Sequence, residues 1–91
     1  MPKVTAKITN KLGMHARPAM AFAELASTFE SNVTIGRKDN GEMVDGKSIM
    51  QILMLAGTCG TVLIINAEGT DAPEALAALK KLIKAGFDDE A

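Results

Sequence analysis

The only histidine of the chain, His15, lies two residues before Arg17 in the segment His15-Ala16-Arg17-Pro18. An imidazole ring is largely neutral near pH 7 and then offers a ring nitrogen as a nucleophile. A guanidinium group carries a fork of N–H donors that matches phosphoryl oxygens. These two residue types at this spacing point to acceptance of a phosphoryl group, with His15 as the nucleophile and Arg17 as the group that binds the oxygens.

A helix is predicted to begin directly after His15. The segment Asn10–Gly13 breaks the preceding pattern, and from Ala16 onward the apolar residues recur at helical spacing. Pro18 suits the first turn, where its missing N–H is not needed. His15 is therefore expected at a helix N-terminus, where backbone N–H groups and the helix dipole favour a phosphate and disfavour a protonated ring. The alternative is a histidine with no chemical role, on the surface or in the core.

The elements that position His15 come from hydrophobic periodicity and turn residues. Strands are predicted over residues 3–9, 33–35, 42–44 and 61–67, and the Asn40-Gly41 turn joins the second and third strands as a hairpin. Further helices are predicted over residues 48–55 and from an Asp71 cap to a stop at Gly86. The order βαββαβα predicts an α+β open-faced sandwich over residues 1–91 as a single domain, with three helices on one face of a four-stranded antiparallel sheet.

Composition excludes several function classes. Ten basic and eleven acidic residues nearly cancel, and the chain has three Phe but no Trp or Tyr, so neither the charge nor the stacking surface for nucleic-acid binding is expected. Cys59 is the only cysteine, and no His/Cys spacing fits a zinc site, so no disulfide, metal or other cofactor is expected. No segment has the pattern of a signal peptide or a membrane span, which predicts a cytoplasmic protein without membrane insertion. The acidic tail Asp88-Asp89-Glu90 is expected to be solvated.

The segment Asn10–Ala19 resembles the active-site segment of HPr, the phosphocarrier family of the bacterial phosphotransferase system. The resemblance extends to chain length, element order, the segment Lys47-Ser48-Ile49-Met50 and the closing helix. It implies that a phosphoenolpyruvate-dependent donor protein phosphorylates His15 on Nδ1, that Arg17 steadies the phosphoryl group, and that an acceptor protein then takes it. The chain would be a stoichiometric carrier rather than an enzyme.

The same resemblance implies two further sites. Ser48 would be a regulatory serine, modified by a serine kinase and phosphorylase, although Ser48-Ile49-Met50-Gln51 also fits a helix capping box. Partner proteins would dock on the exposed ends of the first two helices, although core packing is an equal explanation for the same apolar residues. The predicted docking residues are Met14, Ala16, Met20, Lys47, Ile49, Met50 and Leu53.

Two resemblances leave the branch of the family open. Residues 10–20 and 85–89 are similar to the nitrogen-related branch, NPr, which favours a regulatory phosphorelay, whereas Lys47-Ser48-Ile49 is similar to the kinase-regulated protein of sugar uptake. A binding regulator of the same fold that transfers no phosphate is the main alternative, and a small-molecule sensor is another. A monomer is expected.

Overall fold

The computed structural model describes residues 2–55 and 57–88. The order of elements over these residues is the predicted one. The elements are β1 (Lys3–Lys7), α1 (Ala16–Ser27), β2 (Asn32–Arg37), β3 (Met43–Asp45), α2 (Ile49–Leu53), β4 (Val62–Glu68), α3 (Ala72–Lys84) and a 3₁₀ turn (Gly86–Asp88). The strand bounds differ from the prediction by a few residues, and α2 is shorter than predicted.

The four strands form one antiparallel sheet in the order β1-β4-β2-β3. In the central strand, Ile65 lies opposite Val4 of β1 and Ile35 of β2. Alternate residues of β4 are buried against the helices, while those between them are half-buried or exposed on the other face. This is the predicted α+β open-faced sandwich, with helices on one face of the sheet only.

The hairpin between β2 and β3 has the predicted turn. Gly41 has φ +72°, in the left-handed region, and its N–H donates to the Arg37 carbonyl at 2.9 Å. The side-chain oxygen of Asn40 accepts from the Glu42 N–H at 2.9 Å. The Asn-Gly pair therefore forms the turn as predicted from the sequence. The asparagine side chain accepts a hydrogen bond from a nearby backbone N–H, and glycine allows the positive φ.

Asp71 stands at the predicted cap position of α3, but its side chain does not cap that helix. Its carboxylate accepts from the N–H groups of Glu30 and Ser31, each at 2.9 Å, and from the Ser31 hydroxyl. The predicted capping role is therefore wrong in its chemistry: the carboxylate binds the loop that follows α1 instead. These hydrogen bonds hold the pKa of Asp71 below its usual range, and the bond from the Ser31 hydroxyl has the largest effect.

After α3, two successive residues have backbone angles in the left-handed region, Gly86 at φ +71° and Phe87 at φ +59°. Phe87 is 2% exposed and belongs to the core. The acidic tail lies outside the described residues from residue 89 onward. Over residues 2–55 and 57–88, no helix has both the length and the hydropathy needed to cross a bilayer.

Candidate functional site

His15 occupies the N-cap position of α1, as predicted. Its backbone is extended, with φ −123° and ψ −165°, and its carbonyl accepts the first helical hydrogen bond, from Ala19 at 3.0 Å. The residue is half-buried, so part of it reaches solvent. The first turn of α1 itself contains no acidic residue.

The loop that presents His15 is fixed to the segment before β4. Asn10 Nδ2 donates to the Gly13 carbonyl at 2.7 Å, and the Met14 N–H donates to the Gly57 carbonyl at 2.8 Å. Gly13 has φ +69°, and a Cβ built on it would lie 2.6 Å from the Gly57 oxygen. A larger residue at position 13 would therefore push the two segments apart, and glycine allows the contact that holds the histidine loop in place.

Arg17 lies in the first turn of α1 and is exposed. The structure thus brings both predicted chemical groups, the imidazole of His15 and the guanidinium of Arg17, to one end of one helix. A partly exposed nucleophile, a cation and a helix N-terminus together favour an incoming phosphoryl group. Because the site is on the surface, a second protein can reach it.

The apolar residues predicted for docking fall into two groups. Ala16, Met20, Ile49 and Met50 are exposed, with Met50 at 71% and Met20 at 46%. Met14, in contrast, is 7% exposed and part of the core, and Leu53 packs against that core. The prediction of an exposed Met14 is wrong because the hydrogen bond from its N–H to Gly57 turns this residue of the loop inward.

Two exposed apolar residues were missed from the sequence. Leu12 is 67% exposed and Met54 is 78% exposed. Met54 could have been found, since it follows Met50 at helical i, i+4 spacing, whereas the Leu12 loop has no periodicity that shows its direction. Every large hydrophobic side chain that is exposed in the described ranges lies on α1, on α2 or at their ends, and we call these residues the apolar surface: Leu12, Met20, Ile49, Met50 and Met54.

Ser48 is the N-cap of α2, and its Oγ accepts from the Gln51 N–H at 3.3 Å. Only half of the predicted capping box forms, because Gln51 Oε1 accepts from the Asp45 N–H at 2.9 Å instead of returning to Ser48. The half-buried Ser48 is followed directly by the exposed Ile49 and Met50. It therefore stands at the edge of the apolar surface.

Lys47, predicted as a docking residue, has a structural contact in the fold. Its Nζ donates to the Phe29 carbonyl at 2.9 Å, just beyond the C-terminal end of α1. A helix of this length separates that end from His15 by about 18 Å. The ammonium group satisfies a carbonyl at the negative end of the helix, where a cation is stabilising.

A family model described as "PTS HPr component phosphorylation site" matches residues 2–85. The chain belongs to the HPr family. The phosphocarrier protein NPr of Klebsiella oxytoca is 43% identical over 88 residues, 97% of each chain. The phosphocarrier protein HPr of Pseudomonas aeruginosa is 45% identical over 89 residues, 98% of each chain. Among solved structures, HPr-C-His from Thermoanaerobacter tengcongensis superposes with a TM-score of 0.91 at 42% identity, over the whole of both chains.

Membership of the HPr family settles the class of function. The chain is a phosphocarrier of the phosphotransferase system, which interacts with phosphoryl donor and acceptor proteins. It carries the phosphoryl group as an intermediate and is not an enzyme. The resemblance of the Asn10–Ala19 segment to HPr is thereby confirmed at the level of the family.

Proposed function

We propose that His15 is the residue of this HPr-family phosphocarrier that is phosphorylated, and that Arg17 binds the oxygens of the transferred group. The observation that carries the proposal is the position of His15, a partly exposed imidazole at the N-cap of α1. It is also the only histidine in the chain. No metal is assigned a part in the transfer.

The chemistry is two successive transfers through one nitrogen. Nδ1 of the neutral ring attacks the phosphorus, a P–N bond forms, and the bond between phosphorus and the donor protein breaks with its electron pair leaving on the donor. The second transfer reverses these roles, with a group of the acceptor protein as the nucleophile. Transfer of this kind depends mainly on positioning and charge, which the helix N-terminus and the Arg17 guanidinium supply.

Both partners must reach the same nitrogen, so we propose that both dock on the apolar surface beside it. Three of its five residues are methionines, whose flexible side chains adapt to different partner shapes. Of the residues predicted from sequence, Ala16, Met20, Ile49 and Met50 remain in this role, and Leu12 and Met54 join them. Met14, Lys47 and Leu53 are assigned to packing and capping.

Labelled phosphoenolpyruvate with a donor protein of the phosphotransferase system tests the proposal. We expect acid-labile label on the full chain and none on His15→Ala, with thermal unfolding of both proteins as the control for folding. Label that persists in His15→Ala would contradict the assignment of the acceptor. Binding of the donor without any label would favour the alternative, a regulator that transfers no phosphate.

Ser48 is proposed as a regulatory phosphorylation site in addition to its capping role. A phosphate would be tolerated at the start of α2, but about two negative charges would then stand beside Ile49 and Met50. These charges would repel an acidic partner from the apolar surface. A serine kinase and a phosphorylase are the partners that this second site implies.

The identities do not separate the two branches, since NPr and HPr relatives match almost equally well. We propose the nitrogen-type regulatory phosphorelay because segments at both ends of the chain resemble NPr, with sugar uptake as the alternative. Incubation of the phosphorylated protein with acceptors of both types, and measurement of which one gains label, tests this assignment.

We further propose that the chain acts in the cytoplasm as a single-domain monomer. Phosphoenolpyruvate is a cytoplasmic metabolite, which supports the location. An HPr dimer from Thermoanaerobacter tengcongensis has been solved, so a relative can dimerise. Sedimentation of the full chain would decide its oligomeric state.

A further inference from the structure

We infer that the outer edge of β1 is a docking site for an extended acidic segment of a partner protein, which would add a strand to the sheet. This surface is separate from the His15 site. β1 is an edge strand, and among the described residues its strand partner is β4 alone. Addition of a strand to such an edge is a common way to bind an extended peptide.

The backbone of β1 presents unused hydrogen-bonding groups at this edge. The Ile8 N–H donates to the Thr61 carbonyl at 2.8 Å, and the Pro2 carbonyl accepts from Ala67 at 3.3 Å, so the even-numbered residues turn their backbone toward the sheet. In an antiparallel pair the residues between them turn the opposite way. The N–H and C=O groups of Lys3, Thr5 and Lys7 therefore face outward.

Lysine side chains flank this edge on both sides. Lys3 and Lys7 are exposed on β1, and Lys80 and Lys84 are exposed on α3. A groove of about 270 Å³ runs between the strand and the helix. It is lined by Thr5, Ala6, Lys7, Thr9, Lys80 and Lys84, with no carboxylate. Within the described residues, no salt bridge joins any of the four lysines to an acidic side chain.

The charge pattern argues against a second copy of this chain as the occupant. If two β1 edges paired about Thr5, Lys3 of each copy would lie opposite Lys7 of the other, and like charges in that position destabilise a pair of strands. The other edge strand, β3, is only three residues long with Asp45 as its one acidic residue, and Gln51 Oε1 already accepts from the Asp45 N–H. A partner segment with carboxylates on an extended backbone fits both the charge and the free hydrogen bonds.

The test is a titration of the isotope-labelled full chain with a short peptide of alternating glutamate and threonine. We expect slower amide hydrogen exchange at Thr5 and Lys7, whose N–H groups face outward, and no change at Val4 and Ala6, which already bond to β4. Amide signals around His15 should stay unchanged. Binding should weaken as the salt concentration rises.

Matched pairs of variants show whether a loss of binding comes from the lysines at this edge or from a general change in charge or folding. Lys7→Gln with Lys84→Gln should weaken binding roughly fivefold, whereas Lys38→Gln with Lys81→Gln, which makes the same change of charge elsewhere, should not. A peptide that is N-methylated at alternate residues loses its own donors and should bind roughly tenfold more weakly to the unchanged protein.

Four outcomes would overturn the proposal. They are no binding at millimolar peptide, equal binding of a peptide with glutamine in place of glutamate, protection at sites other than β1, and self-association of the chain through this edge. If no binding were seen at millimolar peptide, the lysines would serve only to prevent strand pairing between molecules at this edge.

Discussion

The two ends of α1 differ in what surrounds their polar groups. The N-terminal end carries the half-buried His15 and the exposed Arg17, with the exposed Leu12 and Met20 nearby. At the C-terminal end, polar groups of residues 29–31 form hydrogen bonds with residues outside α1. Lys47 donates to the Phe29 carbonyl, and the Asp71 carboxylate binds the N–H groups of Glu30 and Ser31.

This difference shows how a small domain separates stability from reactivity. The two Asp71 hydrogen bonds join residues about forty positions apart, so they hold the loop after α1 to the start of α3. The N-terminal end is positioned by its loop through the Asn10 side chain and the Met14 N–H, and it presents the half-buried His15 and the exposed Arg17. Substitutions at the two ends should therefore affect different measurements.

After the complete loss of label in His15→Ala, the largest effect is expected from Arg17→Ala. Loss of the guanidinium removes a charge that stabilises the transferring group, so the rate of His15 phosphorylation should fall about a hundredfold. Arg17→Lys keeps the charge but loses the fork of donors, and should recover only part of the rate. A rate for Arg17→Ala equal to that of the unchanged chain, measured by rapid-quench labelling, would contradict the proposed role.

Ser31→Ala tests the opposite end. Ser31 is 1% exposed, and the substitution removes its hydroxyl from the Asp71 carboxylate. We expect the free energy of unfolding to fall by about 2 kcal/mol, with unchanged phosphorylation of His15. Ser27→Ala, the same substitution at an exposed position of α1, is the control and should change little in chemical denaturation. Equal losses in both variants would refute the importance of the Asp71 contact.

Ser48→Asp brings a negative charge to the edge of the apolar surface while keeping an oxygen that can cap α2. We expect transfer to His15 to slow about fivefold, and less at high salt, because the charge repels an acidic partner. Ser48→Asn keeps the cap without the charge and should transfer at nearly the original rate. If both variants slowed equally, capping rather than charge would be responsible.

The smallest effect concerns pH. Because the pKa of Asp71 is lowered in the folded protein, its ionised form stabilises the fold above the pKa of the unfolded chain, roughly 4. This stabilisation is lost as the pH falls through the lower pKa of the folded state. Asp71→Asn should therefore lower the denaturation midpoint at neutral pH and converge with the original protein in acid.

Asp39→Asn is the control for the pH experiment. Arg37 also lowers the pKa of Asp39, but this pair is exposed and should contribute little to stability. Parallel pH curves for Asp71→Asn and the unchanged protein would show that the contact with Ser31 is not linked to ionisation.

Local rules in the sequence predicted the elements and the position of His15. The start of α1 at Ala16 was predictable because Pro18 and the spacing of the apolar residues are signals contained within a turn or two of helix. The Asn40-Gly41 turn was predictable because its hydrogen bonds lie within a few residues of sequence. The direction of loop side chains was not predictable in this way. Met14 is buried and its N–H bonds to Gly57, whereas Leu12 is exposed, and no periodicity within the loop reveals this difference.

Polar contacts between residues far apart in the sequence could not be predicted from local sequence patterns either. Asp71 reads as a helix cap, yet its carboxylate binds residues of another loop, and Lys47 reads as a docking residue, yet it closes the end of α1. The cap role of Asp71 was predicted from a local pattern and the docking role of Lys47 from the family resemblance, and neither pointed to these contacts. The partner was set by the tertiary arrangement, which brings distant backbone groups within reach of a charged side chain.

The bond between the Met14 N–H and the Gly57 carbonyl also bears on when the protein becomes able to act during its synthesis. The loop that presents the histidine is completed by the segment around Gly57, which is made later, and β4, one of the two inner strands, is made later still. A nascent chain that has emerged from the ribosome only as far as β3 has the reactive residue but not its geometry. We therefore expect that the proposed phosphorylation of His15 requires the segment around Gly57 to have been synthesised and folded.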